Sequence, residues 1–491
     1  MSSIFNSYSI AVSGMRVNQT ALTVTSHNVS NASTTGFSRQ QIALEDQYTV
    51  LPGGTSYGSG TSVADISRVR NQFLDQSFRR QNAKTAYWET KDANLENIQA
   101  TLNEFSSDDG TSDNGLMATI QEFFNSWEEL SKDSSSLSAR QTVLADGKAL
   151  VEIVTGIDDQ LLQMQADAGQ TVKDIVSQLN DLATQVASLN SEIVKAEAGG
   201  VEASDYWDQR DSLVDQIAAF ADITVQEQSN GMMIINIGGI PLVKGYTTNT
   251  LEVSGNGSTQ SPLQVQWSEL GCNLTVTGGS LKANLEDADQ SGIEAISATD
   301  LPYDFTASSG SSISNLRQAL NVMITTIALK VNELHSAGQG LDGSTGLDFF
   351  VVTDATQPLS LSNITVNSEL EDVNLIAASG GTDDGDNTVA SAIGELLSDE
   401  DFQYEGLSMT GSSFYQSVIS WLAMAGDNAD TSYKNQNTLL QQIENQRQSI
   451  SGVSLDEETA KMIIYQNAYS ASARVLSVVD NLLEGLINEI G

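Results

Sequence analysis

The chain has 491 residues, 40% of them hydrophobic and 17% charged, which is enough apolar material for real buried cores and too much for a disordered chain. Its 63 acidic residues against 22 lysines and arginines give a formal charge of −41, a field that repels nucleic acid and anionic membranes. The lone Cys272 excludes an internal disulfide and a cysteine-rich metal site, and no apolar run approaches the roughly 18 residues of a membrane span.

The chain opens MSSIFNSYSIAVSG, with no basic region ahead of its apolar residues, which makes a poor secretory signal peptide. No acidic residue occurs before Glu45, an unusual gap in so acidic a chain. Within this arm Ile4, Tyr8, Ala11, Met15, Leu22 and Val29 follow the alternating four-three spacing of a helix that needs a partner. The rest of the arm is rich in Ser, Thr and Asn, weak helix formers, and Asn18 and Thr25 fall on the seam itself. Such a segment is marginal alone and orders when packed.

The five prolines (Pro52, Pro241, Pro262, Pro302, Pro358) avoid the helical patterns. After the loop-like LPGGTSYGSG, an amphipathic helix is predicted over 69–105, with Leu74, Phe78, Trp88, Leu95, Leu102 and Phe105 on its stripe. A short helix around Phe123, Phe124 and Trp127 follows, then a long one over 137–198. Near Asp222 the period switches to two, and ITVQEQSNGMMIINIGG predicts a hairpin turning at Asn230-Gly231. With TLEVSG, LQVQW and NLTVTGG this gives a small β-domain over 222–279, in which Cys272 is read as a buried structural thiol. Helix returns over 313–337 and again over 414–450. Ser454 and Glu457 then have the spacing of a capping box. It opens a last helix whose seam is Leu455, Met462, Tyr465, Tyr469, Leu476, Val479, Leu483, Leu486 and Ile490.

The order is nested. The fold class is mainly α with an inserted β-domain, in an elongated multidomain chain whose N- and C-terminal helices pair as a coiled coil. The expected division is 1–45 with 455–491 as paired ends, 46–221 with 280–454 as a discontinuous helical domain, and 222–279 as the insertion. The ends pair with each other or with copies of themselves. Burying each large seam residue contributes about 1.5–3 kcal/mol, enough for several to offset the ordering of a weak arm.

Nothing in the sequence argues for an enzyme. The two histidines, His27 and His335, belong to no short-spaced ligand pair, and no nucleophile elbow, P-loop or dinucleotide fingerprint is present. Acidic clusters such as Asp383-Asp384-Gly385-Asp386 lack the spacing of a calcium loop and read as solvated turns. No catalytic residue, metal site or cofactor is expected.

The segment His27-Asn-Val-Ser-Asn-Ala-Ser-Thr-Thr-Gly-Phe-Ser-Arg-Gln40 resembles the N-terminal motif of bacterial flagellar rod, hook and hook-associated axial proteins. Its motif positions here are Asn28, Asn31, Thr35, Gly36, Phe37, Ser38 and Arg39. The Ser-Arg-Gln ending favours the hook-associated protein 1 family, the first hook–filament junction proteins, over hook subunits. Trp207-Asp-Gln-Arg-Asp-Ser-Leu-Val214, Val331-Asn-Glu-Leu-His-Ser-Ala-Gly338 with Asp348-Phe-Phe350, and Gly452-Val-Ser-Leu-Asp-Glu-Glu458 with Tyr465-Gln-Asn-Ala-Tyr469 agree with it in order. The resemblance implies a structural subunit in a ring of identical copies, touching hook protein on one side and the second hook-associated junction protein on the other. It implies unfolded export through the flagellar type III apparatus, with a cytosolic chaperone on the C-terminal helix, and an extracellular destination. No nucleic-acid partner and no membrane insertion are expected. Another axial protein (hook subunit, second junction protein or flagellin) and a secreted acidic adhesin or hydrolase are the alternatives.

Overall fold

A computed structural model describes residues 2–50, 56–102, 115–200, 203–257, 261–289, 294–307, 311–381 and 385–490. The helices in chain order are α1 (Ser2–Ser30), α2 (Gln72–Leu102), α3 (Leu116–Lys132), α4 (Leu137–Ala198), α5 (Ser204–Phe220), α6 (Ser280–Asp287), α7 (Ser312–Ala337), α8 (Thr388–Glu395), α9 (Gly411–Ser451) and α10 (Leu455–Ile490). The chain divides into two compact units. The terminal unit comprises 1–83, 179–250 and 437–491, and the central unit comprises 84–178 and 251–436.

In the terminal unit α1 and α10 lie against each other. Gly14 approaches Ser472 so closely that an added Cβ would stand 3.0 Å from its Oγ, and Asn28 hydrogen-bonds Glu458. One position advances as the other retreats, so the pair is antiparallel. Between α1 and α2 the chain forms a hairpin, β1 (Gln40–Val50) and β2 (Ser56–Arg68), where the sequence had suggested only a loop. From Ser56 on, the Gly/Ser-rich run is strand and lies on α1; its first part, 51–55, lies outside the described residues. The Asn6 amide donates to Gly58 O, the Thr61 N–H donates to the Ser13 hydroxyl, and a Cβ on Gly60 would fall 2.1 Å from that hydroxyl. A two-stranded ribbon alone is marginal in water, and the helix supplies its missing layer.

The period-two region does not form one module. Strands β3 (Ile223–Glu227), β4 (Met233–Ile237), β5 (Ile240–Lys244) and β6 (Thr247–Thr248) make an antiparallel meander inside the terminal unit. Strands β7 (Leu251–Ser254), β8 (Gln264–Trp267) and β9 (Cys272–Asn273) make a separate sheet inside the central unit. Each sheet is too thin for a core of its own and buries one face on other parts of its unit. In β4, Met233, Ile235 and Ile237 are buried, and Asn190 of α4 pins the sheet by donating to Met233 O and Gly245 O. Cys272 is exposed at the short edge strand β9, which corrects its reading as a buried thiol.

The central unit has a conventional core. Its helix α7 is buried on nearly every side from Ile313 to Ala328, the pattern of a helix wrapped by others. Phe123, Trp127, Phe349 and Phe350 pack edge-on or tilted at 4.9–6.4 Å between ring centroids. Several charged groups within this core are paired, while Trp127 Nε1, Gln318 Nε2 and Thr326 Oγ1 are buried without a hydrogen-bond partner among the described residues. Arg317 holds Asp158 through two bonds of 2.6 and 3.1 Å, and Lys91 meets Asp287 at 2.8 Å. The central strands β10 (Asp304–Phe305), β11 (Phe350–Val351), β12 (Thr365–Val366), β13 (Phe402–Tyr404) and β14 (Leu407–Met409) are short clips between its helices.

Candidate assembly interface

The helix pair in the terminal unit is built differently on its two sides. On α1, Gly14 and Asn28 meet α10; Ala11, Asn18, Ala21 and Thr25 share their four-three spacing, and Ala11, Ala21, Thr25 and Asn28 are buried. A second line, Asn6, Ile10 and Ser13, meets the hairpin, and Val17 and Val24 continue it as buried residues. Of the residues singled out by spacing, Ala11 is buried, Met15, Leu22 and Val29 are half-buried, and Tyr8 is exposed. Met15, Leu22 and Val29 sit one position on from Gly14, Ala21 and Asn28. The small residues win the seam because they let the two backbones approach closely. On α10, Met462, Tyr465, Tyr469, Leu476 and Leu483 are half-buried and Val479 is buried, with Glu458 and Ser472 on the same line. Leu455 is 53% exposed. The side chains of Ile4, Leu486 and Ile490 lie outside the described residues.

About a third of a turn away, α10 carries a further apolar line. Ile464, Val475, Val478 and Leu482 are each 50–62% exposed, and Ile463 lies beside them. On α1, Phe5, Tyr8 and Ile10 are exposed as well. These helices are amphipathic twice over, once for each other and once for something else.

The N-terminal motif forms the junction at the base of the pair. After α1 the chain turns through hydrogen bonds from Thr34 N to Asn31 O and from Phe37 N to Thr34 O, with Gly36 at a φ of 83°. Phe37 packs edge-on against His27 at 5.4 Å, and the Asn31 side chain donates to His27 O. Asn28, 1% exposed, ties three elements together. Its Nδ2 donates to Gln40 O and to Glu458 Oε2, and its Oδ1 accepts from Gln40 N, all at 2.9 Å. The Ser38 amide and hydroxyl both donate to Asp208, at 2.8 and 2.7 Å. The Arg39 amide donates to Ser451 O at 2.8 Å and its guanidinium to Glu457 at 3.3 Å. Glu457 accordingly serves Arg39, while the Ser454 hydroxyl caps α10 by accepting from Glu457 N. Three motif blocks far apart in sequence therefore meet in one place. Thr35 lines two grooves beside this loop, of about 630 and 1010 Å³.

Sequence reasoning missed the charge lattice behind the motif. Arg68 bridges Asp208 and Asp211 at 2.7 and 2.9 Å, Arg70 holds Asp75 at 2.7 Å, Arg79 reaches Asp211 and Asp215 at 3.1 and 2.7 Å, and Arg447 meets Asp215 at 2.6 Å. Burial alone would push the Asp211 carboxyl up. The guanidiniums of Arg70, Arg68, Arg79 and Arg210 overcome that and hold it far below the usual carboxylate range. The signal was present: in a chain so poor in cations, three arginines cluster between 68 and 79, and Arg210 interrupts an acidic motif.

The fourth motif block lies in the central unit and is structural. His335 shares a 2.6 Å bond with Leu347 O through Nδ1, and its Nε2 accepts from Ala377 N at 2.9 Å. Asn332 donates to Phe350 O and accepts from the Phe349 and Phe350 amides. Burial pushes the His335 pKa down to about 4, in keeping with a neutral ring that needs Nε2 as an acceptor. Among the described residues no group of three or more His, Cys, Asp or Glu side chains is placed to hold a metal ion, and no helix is long and apolar enough to cross a membrane.

The two ends of the chain define its class, that of flagellar axial proteins. Residues 9–37 match the model described as "Flagella basal body rod protein", and 441–489 match "Flagellar basal body rod FlgEFG protein C-terminal". Residues 96–350, more than half of the chain, match "Flagellar hook-associated protein FlgK helical domain", and the chain belongs to that family. It is 28% identical to flagellar hook-associated protein 1 of Bacillus subtilis over 100% of this chain and 99% of that one. It is 24% identical to flagellar hook-associated protein 1 of Salmonella typhimurium over 99% of this chain and 100% of the other. The flagellar hook junction protein FlgK from Burkholderia pseudomallei shares the fold at a TM-score of 0.63 and 14% identity, covering 77% of this chain and 100% of that one. The family is one of flagellar structural proteins and not of enzymes.

Proposed function

We propose that this chain is a hook–filament junction subunit, which assembles as a ring of identical copies at the distal end of the hook and adapts hook to filament. The observation that carries the reading is the second apolar line on α10, with Phe5 and Tyr8 on α1, left over after the intramolecular pair has formed. Burying a large apolar side chain is favourable by about 1.5–3 kcal/mol, so such a line is a standing invitation to neighbouring helices. The neighbours are other copies of the chain, hook protein on one side and the second hook-associated junction protein on the other. The named seam and motif residues are then the parts that make each subunit competent to join. The chain leaves the cell unfolded through the flagellar type III apparatus, a cytosolic chaperone covers the C-terminal helix beforehand, and the flagellum is its extracellular destination.

The ends alone match rod proteins, so another axial role is the competing reading. Electron microscopy of a deletion strain separates the two. Hooks without filaments, with monomeric flagellin in the medium, support the junction reading, whereas a complete hook bearing a normal filament overturns it.

A further inference from the structure

Within the central unit, Lys91 of α2 is set apart from the other lysines. It is the one lysine among the buried described residues, with a side chain 7% exposed, whereas the other ion-paired lysines are 31–71% exposed. Its partner Asp287, 196 positions away at the end of α6, is 1% exposed. Lys91 Nζ stands 2.8 Å from Asp287 Oδ1 and 3.0 Å from Glu286 Oε2. The other oxygen of Asp287, Oδ2, accepts from Asn94 Nδ2 at 2.7 Å. Glu286 is itself held on both oxygens. The Tyr87 hydroxyl donates to its Oε2 at 3.0 Å, and Lys282 Nζ lies 3.7 Å from its Oε1. An amine, the carboxyl group it touches and a second carboxylate on the same amine are thus brought together, with the first two shut away from water. As an ion pair alone this is a poor source of stability, because the desolvation of two charges offsets most of their attraction.

We propose that Lys91 and Asp287 condense to an amide, a covalent side-chain staple between α2 and α6, with Glu286 as the proton carrier. Nζ attacks Cγ of Asp287; the Nζ–Cγ bond forms and the Cγ–Oδ1 bond breaks. The ammonium holds three protons and the amide keeps one. Glu286 takes the other two in turn and passes them to Oδ1, which leaves as water. The ammonium and carboxylate charges cancel, so the step needs no oxidant, reductant or further reactant. Asn94 already donates to Oδ2, where negative charge collects as Nζ adds. Contact between the reacting groups removes the entropic cost of bringing them together. The product replaces two buried charges with one neutral amide, which relieves their desolvation. With Cys272 as its lone cysteine the chain has no internal disulfide, and this bond gives it a cross-link of another kind.

The test is the intact mass of the full-length chain, kept folded at neutral pH, then denatured and compared with the mass its sequence dictates. The expected result is the loss of one water, with fragment spectra that join the peptide containing Lys91 to the peptide containing Asp287. Lys91→Arg keeps a cation for Asp287 and should restore the full mass. Glu286→Gln leaves both reacting groups in place and removes the proton carrier. It should slow the reaction about a hundredfold, followed as mass against time after refolding. A wild-type chain that keeps its full mass after days in the folded state overturns the proposal. So does a missing water that maps to any other residues, and a Glu286→Gln chain that condenses at the wild-type rate overturns the role given to Glu286.

Discussion

The two units of this chain are held together by opposite means. The central unit wraps α7 in other elements and fills its middle with Phe123, Trp127, Phe349 and Phe350, all buried. The terminal unit has a thin seam of alanine, glycine and asparagine between α1 and α10, and a lattice of Arg68, Arg70, Arg79 and Arg447 with Asp75, Asp208, Asp211 and Asp215. An apolar core tolerates approximate partners, whereas a buried charge lattice closes only when every partner has arrived. Its members come from three separate stretches of chain, as do the members of the motif junction. The charge lattice thus makes the terminal unit conditional on all three stretches being in place.

The contrast can be broken most directly by removing residues 455–491. The expected outcome in a thermal scan is loss of the terminal unit's transition, with hydrogen exchange in α1 rising to that of an unfolded segment. The central unit's transition should move little, and its loss would contradict the separation. Next in size is Asp211→Ala, which leaves several guanidiniums without their shared carboxylate and should cost about 3–5 kcal/mol in the terminal unit, read by denaturant unfolding. A cost below about 1 kcal/mol would mean that the lattice is solvated and ornamental.

The third distinction concerns pH. Burial lowers the folded pKa of His335 to about 4 from the 6.5 of a free imidazole, so the unfolded chain binds the proton more readily. Stability from this group is complete above the unfolded value and is lost as pH falls toward 4, by roughly 3 kcal/mol in all. Asp211 is also depressed, but its window begins where an ordinary carboxylate titrates, below about pH 4. Acidification from pH 6.5 to 4 should therefore weaken the central unit through His335 while the lattice holds. His335→Gln, which can still donate to Leu347 O and accept from Ala377 N, should remove that part of the slope. Smallest is the seam itself. Gly14→Leu drives a side chain into Ser472 and should cost the α1–α10 pair about 1–3 kcal/mol. Gly14→Ala should fall within about 1 kcal/mol of neutral, since the hydroxyl can turn aside and helix propensity improves. Helix content on titration with urea distinguishes them.

Long periodic elements were legible in the sequence to within a few residues. The helix predicted over 137–198 is α4, that over 313–337 is α7, and the turn at Asn230-Gly231 joins β3 to β4 with Gly231 at a φ of 75°. The β1–β2 hairpin was not legible, because Ser56–Thr61 has the composition of a loop and becomes a strand only through a tertiary contact with α1. On α1 the spacing found the helix but passed over Gly14 and Asn28, which meet α10. Apolar periodicity selects Met15, Leu22 and Val29, and cannot foresee a close approach at a glycine, Gly14. The lattice escaped because its arginines and aspartates are charged residues dispersed in sequence, and such residues ordinarily face solvent.

The antiparallel register of α1 and α10 has a practical consequence. Extending the Gly14–Ser472 and Asn28–Glu458 pairings places Ser2 roughly opposite Glu484, with the last turn of α10 just beyond it. The start of α1 and the end of α10 therefore lie at the same tip of the helix pair, near exposed Phe5 and Leu482. A tag or fluorophore fused to either terminus occupies the same neighbourhood. For labelling the native particle, the exposed Cys272 on β9 in the central unit is the better handle, since it lies outside the terminal unit altogether.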